Sequence, residues 1–239
     1  MSVWLHVHSS HACARARLFC FAHAGGPAAT FRPWASLKPP DVELIAIELP
    51  GRRARIAEAP LTSIASIVDG VVPAIADLLD RPFALFGHSM GAIVAFELAH
   101  RLREMCLARP QHLFASGARA PQLPRAPDLH ALPRDEFIAA VVALGGLPAE
   151  IASEPDLMNM LLPSLRADFT AIETWRYTPA PPLDLPITAF GGTHDSRVSM
   201  SQLSGWGEQT TRSFEARLFD GGHFYLDTHR TAVIESIRF

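Results

Sequence analysis

The stretch Phe83-Ala84-Leu85-Phe86-Gly87-His88-Ser89-Met90-Gly91 decides the fold, because it joins an apolar run to a helical pattern through a glycine-flanked serine. Residues 83–86 predict a buried strand, and residues 92–102 predict a helix. A strand that runs directly into a helix through Gly-x-Ser-x-Gly is typical of a nucleophile elbow. The turn is tight, so the two glycines beside Ser89 are needed for their minimal side chains. An ordinary glycine-rich strand–helix turn is the alternative interpretation.

Short apolar runs alternate with helical patterns on both sides of this stretch. The other predicted strands are residues 17–21, 42–49, 113–116, 187–190 and 216–219. Residues 62–79 have the apolar spacing of a helix, in which a kink at Pro73 is expected. Strands separated by helices predict an α/β fold with a mostly parallel central sheet and helices on both faces.

Residues 121–182 interrupt this alternation, because no strand pattern is found there. The segment opens with four prolines, Pro121, Pro124, Pro127 and Pro133. A helix is predicted over residues 135–144, closed by Gly145 and Gly146, and a second over residues 156–175. We therefore expect a helical insertion over one edge of the sheet, which is a candidate lid.

Composition limits the class of protein. The chain has 239 residues, of which 49% are apolar and 19% charged, as expected for a globular protein of one large domain or two small ones. The net charge of −3 excludes an overall basic field for nucleic acid. No run of 18 apolar residues is present, so no transmembrane helix is expected.

The cysteines and the N-terminal histidines do not form a recognisable disulfide or metal-binding pattern. Cys13, Cys20 and Cys106 are too few and too scattered for a disulfide framework or a zinc site, which favours a reducing, cytoplasmic compartment. The first 16 residues lack the apolar core of a signal peptide. Their histidines are interpreted as part of a polar edge segment, with metal binding as the alternative; they are His6, His8 and His11.

A nucleophilic serine needs a base, and the base needs an orienting acid, in the chain order Ser, Asp, His for this fold class. Asp195 follows the strand predicted at 187–190, and His223 follows the strand predicted at 216–219 after two glycines. These two residues are the predicted acid and base for Ser89. The competing acids are Asp220 and Asp227, and the competing bases are His194 and His229.

Acyl transfer also needs N–H donors for the oxyanion of the tetrahedral intermediate. One donor is expected to be the backbone N–H of Met90, which follows the nucleophile. The second is expected from the loop Phe21-Ala22-His23-Ala24-Gly25-Gly26, whose glycines allow close approach of a ligand to the backbone. This loop lacks the Gly-x-Gly-x-x-Gly spacing of a dinucleotide site, and no metal or organic cofactor is expected.

Taken together, the motifs resemble those of the type II thioesterases, stand-alone α/β-hydrolases that accompany polyketide and nonribosomal peptide synthetases. The resemblance extends from about Leu18 to Phe239. It rests on the 21–26 loop, Leu49-Pro50-Gly51-Arg52, FALFGHSMGAxxAFELA at 83–99, Arg166-Ala167-Asp168-Phe169, GGxxD at 191–195 and GGHF at 221–224. Ala22 departs from the pattern, because the family usually has proline at that position.

The resemblance implies an α/β-hydrolase that removes acyl groups from the phosphopantetheine arm of acyl or peptidyl carrier proteins, clearing misprimed or stalled units. It implies Ser89, Asp195 and His223 as the triad, and Met90 and Ala24 as the oxyanion donors. It also implies that residues 129–156 are the mobile part of the lid insertion at about 121–182. Because the triad residues come from both sides of this insertion, we expect a single domain over residues 1–239, and we expect a monomer. A small-molecule carboxylesterase or lipase, a product-releasing thioesterase and a non-catalytic binding module are the alternatives.

Carrier proteins are generally acidic, so the cluster Arg52, Arg53 and Arg55 is a candidate docking patch. The other interpretation is a solvated or locally paired surface, because Glu58 lies close by in the sequence.

Overall fold

A computed structural model describes residues 2–9, 14–124 and 129–239, so that His11, Cys13 and Pro127 lie outside the described residues. Its strands are, in chain order, β1 (Leu5–Ser9), β2 (Ala16–Phe21), β3 (Val42–Ile47), β4 (Phe83–His88), β5 (His112–Ser116), β6 (Ile187–Gly192) and β7 (Phe214–Phe219). They form one sheet in the order β1-β3-β2-β4-β5-β6-β7. β1 is antiparallel to β3, and the other neighbours are parallel, which confirms the predicted sheet.

The parallel strands bring the ends of their sequence motifs to one edge of the sheet. In the register of β4 and β5, His88 lies beside Ser116, and in that of β6 and β7, Gly192 lies beside Phe219. The segments that follow β2, β4, β5, β6 and β7 therefore leave the sheet at the same edge. This is the edge at which α/β proteins of open sheets bind ligands.

The helices in chain order are α1 (Ile64–Ile75), α2 (Met90–Glu104), α3 (Arg134–Ala143), α4 (Ala149–Ala152), α5 (Pro155–Thr174), α6 (Met200–Ser204) and α7 (Arg230–Ser236). The 3-10 segments are Ala28–Ser36, Arg53–Arg55, Ala76–Leu78, Gly205–Gln209 and Tyr225–Asp227. α1 begins at the Ser63 N-cap, whose side chain accepts a hydrogen bond from the Ser66 N–H. The helix continues past Pro73 for two residues and then tightens into a 3-10 turn.

Buried side chains pack on both faces of the sheet, as expected for parallel strands between helices. On one face, Leu85 of β4 belongs to the same cluster as Ile67 of α1 and Ile93 of α2. On the other face, Phe86 belongs to a cluster with Trp34 and residues of α7. Successive residues of β4 thus pack against helices on opposite faces of the sheet. This explains why β4 is apolar throughout and does not alternate with polar residues.

The insertion contains a small apolar cluster of its own. Phe137 of α3 and Phe169 of α5 pack edge to face, with ring centroids 5.3 Å apart, beside Met158 and Leu165. α3 ends where Gly145 adopts a φ of +75°, as the predicted glycine closure requires. The four-residue helix α4 was not predicted. The role of this insertion as a mobile lid stays a prediction.

The edge strand β1 is a correction to the sequence interpretation, which expected only a polar segment there. Leu5 and Val7 pack toward the core, while His6 and His8 alternate with them. The His8 Nε2 group donates to the Ala28 carbonyl oxygen at 2.9 Å. Alternation of apolar and polar residues is the pattern of a half-buried edge strand, so the signal was present but short. In the described parts of the chain, no group of three or more His, Cys, Asp or Glu residues is placed to hold a metal ion.

Candidate active site

The elbow places Ser89 between β4 and α2 in a strained backbone conformation. Its φ of 56° and ψ of −115° are unusual for a residue with a side chain. A Cβ on Gly87 would lie 2.0 Å from the carbonyl oxygen of Gly91, and a Cβ on Gly91 would lie 2.2 Å from that of Phe21. The Ser89 N–H donates to the carbonyl oxygen of Ser116 at 2.7 Å, which ties the elbow to β5. The sequence motif is thus explained by close backbone packing.

Asp195 and His223 meet as a buried pair at the ends of β6 and β7. The Nδ1–H of His223 donates to Oδ2 of Asp195 at 2.8 Å, and Oδ1 accepts the Arg197 N–H at 2.8 Å. The side chains are 0% exposed for Asp195 and 5% for His223. Burial raises the pKa of Asp195, but the hydrogen bond from His223 and nearby positive charge outweigh it, so the pKa lies below its usual value. This carboxyl group is therefore ionised at neutral pH.

The competing acids and bases lie elsewhere. His194 and Asp220 are 76% and 77% exposed and face each other on the surface, with Nδ1 and Oδ1 3.4 Å apart. Asp227 is exposed at the end of a 3-10 turn, and His229 caps the start of α7. The structure brings Asp195, rather than its rivals, to His223.

Ser89 and His223 line one cavity of about 100 Å³. The Nε2 atom of His223 is buried and has no hydrogen-bond partner among the described residues. The insertion supplies part of the cavity wall. Lining residues outside the elbow and the insertion are His23, Ala24, Gly117, Ala118, Arg119, Arg197, Val198 and Phe224, and those of the insertion are Leu144, Gly146, Phe169, Ile172 and Glu173.

The two predicted oxyanion donors lie in backbone segments at the wall of this cavity. Met90 is the first residue of α2, so its N–H has no acceptor within the helix and points from a helix N-terminus. Ala24 lies in a turn closed by the Gly26 N–H, which donates to the His23 carbonyl oxygen at 2.8 Å. Gly25 has a φ of +80°, and a turn of this kind favours glycine there because side chains disfavour positive φ. Both Met90 and Ala24 line the cavity.

A buried ion pair behind this turn was missed from sequence. Arg52 forms a bidentate pair with Asp168 of α5, with Nη2–Oδ1 and Nη1–Oδ2 distances of 2.8 and 2.9 Å. Asp168 Oδ2 also accepts the Gly25 N–H at 2.6 Å, and Arg52 Nη1 donates to the Gly26 carbonyl oxygen at 3.1 Å. Both residues lie in motifs that carry the family resemblance, but nothing in the sequence indicated that they pair.

The docking patch proposed for the arginine cluster is wrong for two of its members. Arg52 is committed to Asp168, and Arg55 is buried, with its guanidinium bound to both carboxylate oxygens of Glu58 at 2.8 and 2.6 Å. Arg53 alone of the three has a largely exposed side chain, at 56%. The locally paired interpretation is therefore the correct one for Arg52 and Arg55.

Two further histidines surround the His223 ring. Burial, together with the electrostatic influence of His223, Arg52 and Arg197, lowers the pKa of His23 to about 4. His88 is fully buried, which holds its pKa well below the usual value, and its Nδ1 contacts Ser116 Oγ at 2.9 Å. Both rings are consequently neutral at pH 7. They form a weakly polar wall around His223, which of these three rings is the one paired with a carboxylate.

The fold and the site together define a hydrolase of the α/β class. The sequence model of the thioesterase domain family matches residues 16–238. The gramicidin S biosynthesis protein GrsT of Aneurinibacillus migulanus is 42% identical over 233 residues, covering 97% of this chain and 91% of that protein.

Solved structures of thioesterases are also similar to this chain. The type II thioesterase BorB from the borrelidin biosynthetic cluster superposes with a TM-score of 0.90 at 35% identity, covering 98% of this chain and 96% of that one. The RedJ thioesterase from the prodiginine pathway of Streptomyces coelicolor gives a TM-score of 0.88 at 36% identity, covering 94% and 85%. The chain belongs to the thioesterase family and is similar to its type II members. It is therefore a thioester hydrolase of the α/β-hydrolase fold.

Proposed function

We propose that this enzyme removes acyl groups from the phosphopantetheine arm of carrier proteins, with Ser89 as nucleophile, His223 as base and Asp195 as orienting acid. The observation that carries the proposal is the buried 2.8 Å contact between His223 Nδ1 and Asp195, at a histidine that lines the same cavity as Ser89. An ionised acid on one ring nitrogen leaves the other as a proton acceptor, which is what a weakly acidic hydroxyl requires.

The first half of the reaction forms an acyl-enzyme. Ser89 Oγ attacks the thioester carbonyl carbon while His223 Nε2 takes the hydroxyl proton. The carbonyl oxygen becomes an oxyanion, to which the Met90 and Ala24 N–H groups donate. The C–S bond then breaks, and the thiolate of the pantetheine arm leaves with the proton held by His223. Asp195 stays ionised throughout and stabilises the protonated imidazole.

The second half releases the acid. A water molecule gives its proton to His223 Nε2 and attacks the acyl-Ser89 carbonyl carbon, so that a second oxyanion forms between the same two donors. When this intermediate collapses, the C–O bond to Ser89 breaks and His223 returns the proton to Oγ. The products are a free carboxylic acid and the carrier thiol, and no cofactor is consumed.

The biological role follows from the relatives. GrsT belongs to gramicidin S biosynthesis, and BorB is a type II thioesterase of the borrelidin cluster, so a carrier protein of a peptide or polyketide synthetase is the proposed partner. Removal of misprimed or stalled units is the proposed task. A single domain that acts as a monomer in the cytoplasm, with residues 129–156 as the mobile part of the lid, completes the proposal. No helix in the described residues is long and apolar enough to span a membrane.

Comparing three substrates with one acyl group tests this function: the acyl-carrier thioester, the acyl-pantetheine thioester and a matching oxygen ester. We expect the highest kcat/KM for the carrier-bound thioester, and a loss on the order of 10⁶-fold in kcat for Ser89→Ala. Ser236→Ala, at the partly exposed last residue of α7 and outside the cavity, is the control and should keep its activity. A preference for the oxygen ester would indicate a carboxylesterase.

A series of short, branched and long acyl groups on the carrier separates editing from product release. Misprimed units are short, so an editing enzyme should hydrolyse short acyl groups fastest. A preference for the longest, product-like chains would indicate that the enzyme releases products and does not edit.

A further inference from the structure

The buried pair Arg52–Asp168 joins three segments that are remote in sequence: the loop after β3, the 22–26 turn and helix α5. We propose that Arg52 and Asp168 are positioning residues, which hold the Ala24 N–H in place to stabilise the oxyanion. The inference rests on the proposed function, because it assigns Ala24 as the second donor. It gives helix α5 of the insertion a task in catalysis besides covering the cavity.

The burial of this ion pair has an energetic cost that further hydrogen bonds must offset. The side chains of Arg52 and Asp168 are 5% and 1% exposed, and the desolvation of two charges costs several kcal/mol per ion. Hydrogen bonds to further partners offset part of this cost. Here the additional partners are the Gly25 N–H and the Gly26 carbonyl oxygen, while Arg52 Nε is buried without a partner among the described residues. The pair thus directs its remaining hydrogen bonds to the turn that contains Ala24.

The geometry of the turn shows how the pair acts at a distance. The peptide unit between His23 and Ala24 carries the Ala24 N–H, and its carbonyl oxygen accepts the Gly26 N–H at 2.8 Å. Because the peptide is planar and trans, fixing the carbonyl fixes the opposite direction for the N–H. Asp168 holds the next peptide unit through the Gly25 N–H, and Arg52 holds the exit from the turn through Gly26.

Helix α5 also packs directly against this turn. A Cβ on Gly25 would lie 2.6 Å from Leu165 Cδ1, so the turn packs closely on the Leu165 side chain of α5. Loss of the carboxylate charge at Asp168 would leave the Arg52 guanidinium buried without its counter-ion. The turn would then lose both its polar anchor and its alignment with Ser89.

Asp168→Asn tests the proposal, with Glu43→Gln as the matched control. Glu43 accepts from Arg17 Nε at 2.8 Å in a second, partly buried ion pair, at the opposite end of β2 and β3 from the site. Both changes convert a paired carboxylate to an amide. We expect kcat of Asp168→Asn to fall about 100-fold, the loss typical of one oxyanion donor, with KM changed less than about threefold. Glu43→Gln should keep kcat.

A boronic acid that forms a tetrahedral adduct with the serine gives a readout that a merely structural role would not change. Its affinity should weaken in Asp168→Asn in proportion to kcat, whereas the KM of the substrate should not. Arg52→Lys provides a second variant in case Asp168→Asn does not fold. A lysine places one point charge where the guanidinium makes a bidentate contact, so an intermediate kcat is expected.

The proposal is overturned if folded Asp168→Asn or Arg52→Lys keeps the wild-type kcat and boronic acid affinity. It is also overturned if kcat falls only in proportion to the unfolded fraction, as measured by circular dichroism. Failure of the proposed function gives a different result from failure of this proposal. If the proposed function were wrong, Ser89→Ala would retain turnover, whatever the effect of Asp168→Asn.

Discussion

Gly91 is one of the two elbow glycines whose substitution the neighbouring backbone opposes at close range. A Cβ there would lie 2.2 Å from the carbonyl oxygen of Phe21. We expect Gly91→Ala to lower the free energy of unfolding by about 3 kcal/mol, because overpacking forces β2 and α2 apart. For a chain of this size the melting temperature should fall by about 10 °C. Differential scanning calorimetry measures the change.

Gly222→Ala is the control for this prediction. Its added Cβ would meet nothing closer than 3.9 Å, and Gly222 does not have a positive φ. The variant should melt close to the wild type. If Gly91→Ala and Gly222→Ala melted at the same temperature, the packing account of the elbow would be wrong.

Asp195 follows β6 and Asp220 follows β7, but Asp195 is buried against His223, whereas Asp220 is exposed. Asp195→Asn should lower kcat about 10⁴-fold, because an amide in place of the carboxylate favours the wrong tautomer of His223. Asp220→Asn removes an exposed carboxylate that contacts His194 and Thr193, and kcat should stay within about twofold. Steady-state hydrolysis of an acyl-pantetheine thioester measures both. Equal losses would contradict the assignment of the acid.

Some residues of the site could be predicted from the sequence, and others could not. Ser89, Asp195 and His223 each lie in a local motif that follows an apolar run, so their positions in the fold followed from the strand pattern. Arg52 and Asp168 are separated by 116 positions in the chain. Neither neighbouring sequence indicates burial of a charge, and only the packing of α5 on the 22–26 turn brings the pair together.

At the scale of elements, the strands were predicted where apolar runs are uninterrupted. β2, β4, β5, β6 and β7 all include the predicted residues, and β3 ends two residues earlier than expected, at Ile47. β1 was missed because an edge strand is buried on one face only, so its pattern is weaker than that of a central strand. The four residues of α4 are too few for a helical period to be read.

Helix α5 of the insertion is expected to influence which acyl chains the cavity accepts. Ile172 is part of the cavity wall, so Ile172→Ala should enlarge the space for the acyl group. We expect the ratio of kcat/KM for octanoyl over acetyl thioesters to rise about tenfold, as is typical for a few methylene groups in an apolar pocket. Ile138→Ala, which alters a partly buried residue of α3 outside the cavity, is the control. An unchanged ratio in Ile172→Ala would mean that acyl chains do not reach α5.

At the scale of the whole molecule, buried histidines make stability depend on pH. Burial, together with the nearby charge of Arg103, lowers the pKa of His100 from 6.5 to about 4. Between these values the unfolded chain binds the proton and the folded chain does not, so stability falls as pH falls from about 6.5 to about 4. The contribution of His100 is about 3 kcal/mol.

Urea unfolding at a series of pH values checks this prediction. The loss of stability between about pH 6.5 and pH 4 should be smaller in His100→Gln than in the wild type. His194→Gln is the control, since its side chain is 76% exposed, and its profile should follow the wild type. Parallel profiles for His100→Gln and the wild type would contradict the assignment of a neutral buried imidazole.

The central claim is that Ser89 carries the acyl group during thioester hydrolysis. The most direct measurement is rapid-quench intact-mass spectrometry, with peptide mapping, of the enzyme mixed with an acyl-carrier thioester. We predict a transient mass increase equal to one acyl group, located at Ser89 and absent in Ser89→Ala, which should also lack turnover. Turnover by Ser89→Ala, or a wild-type adduct at another residue, would contradict the account.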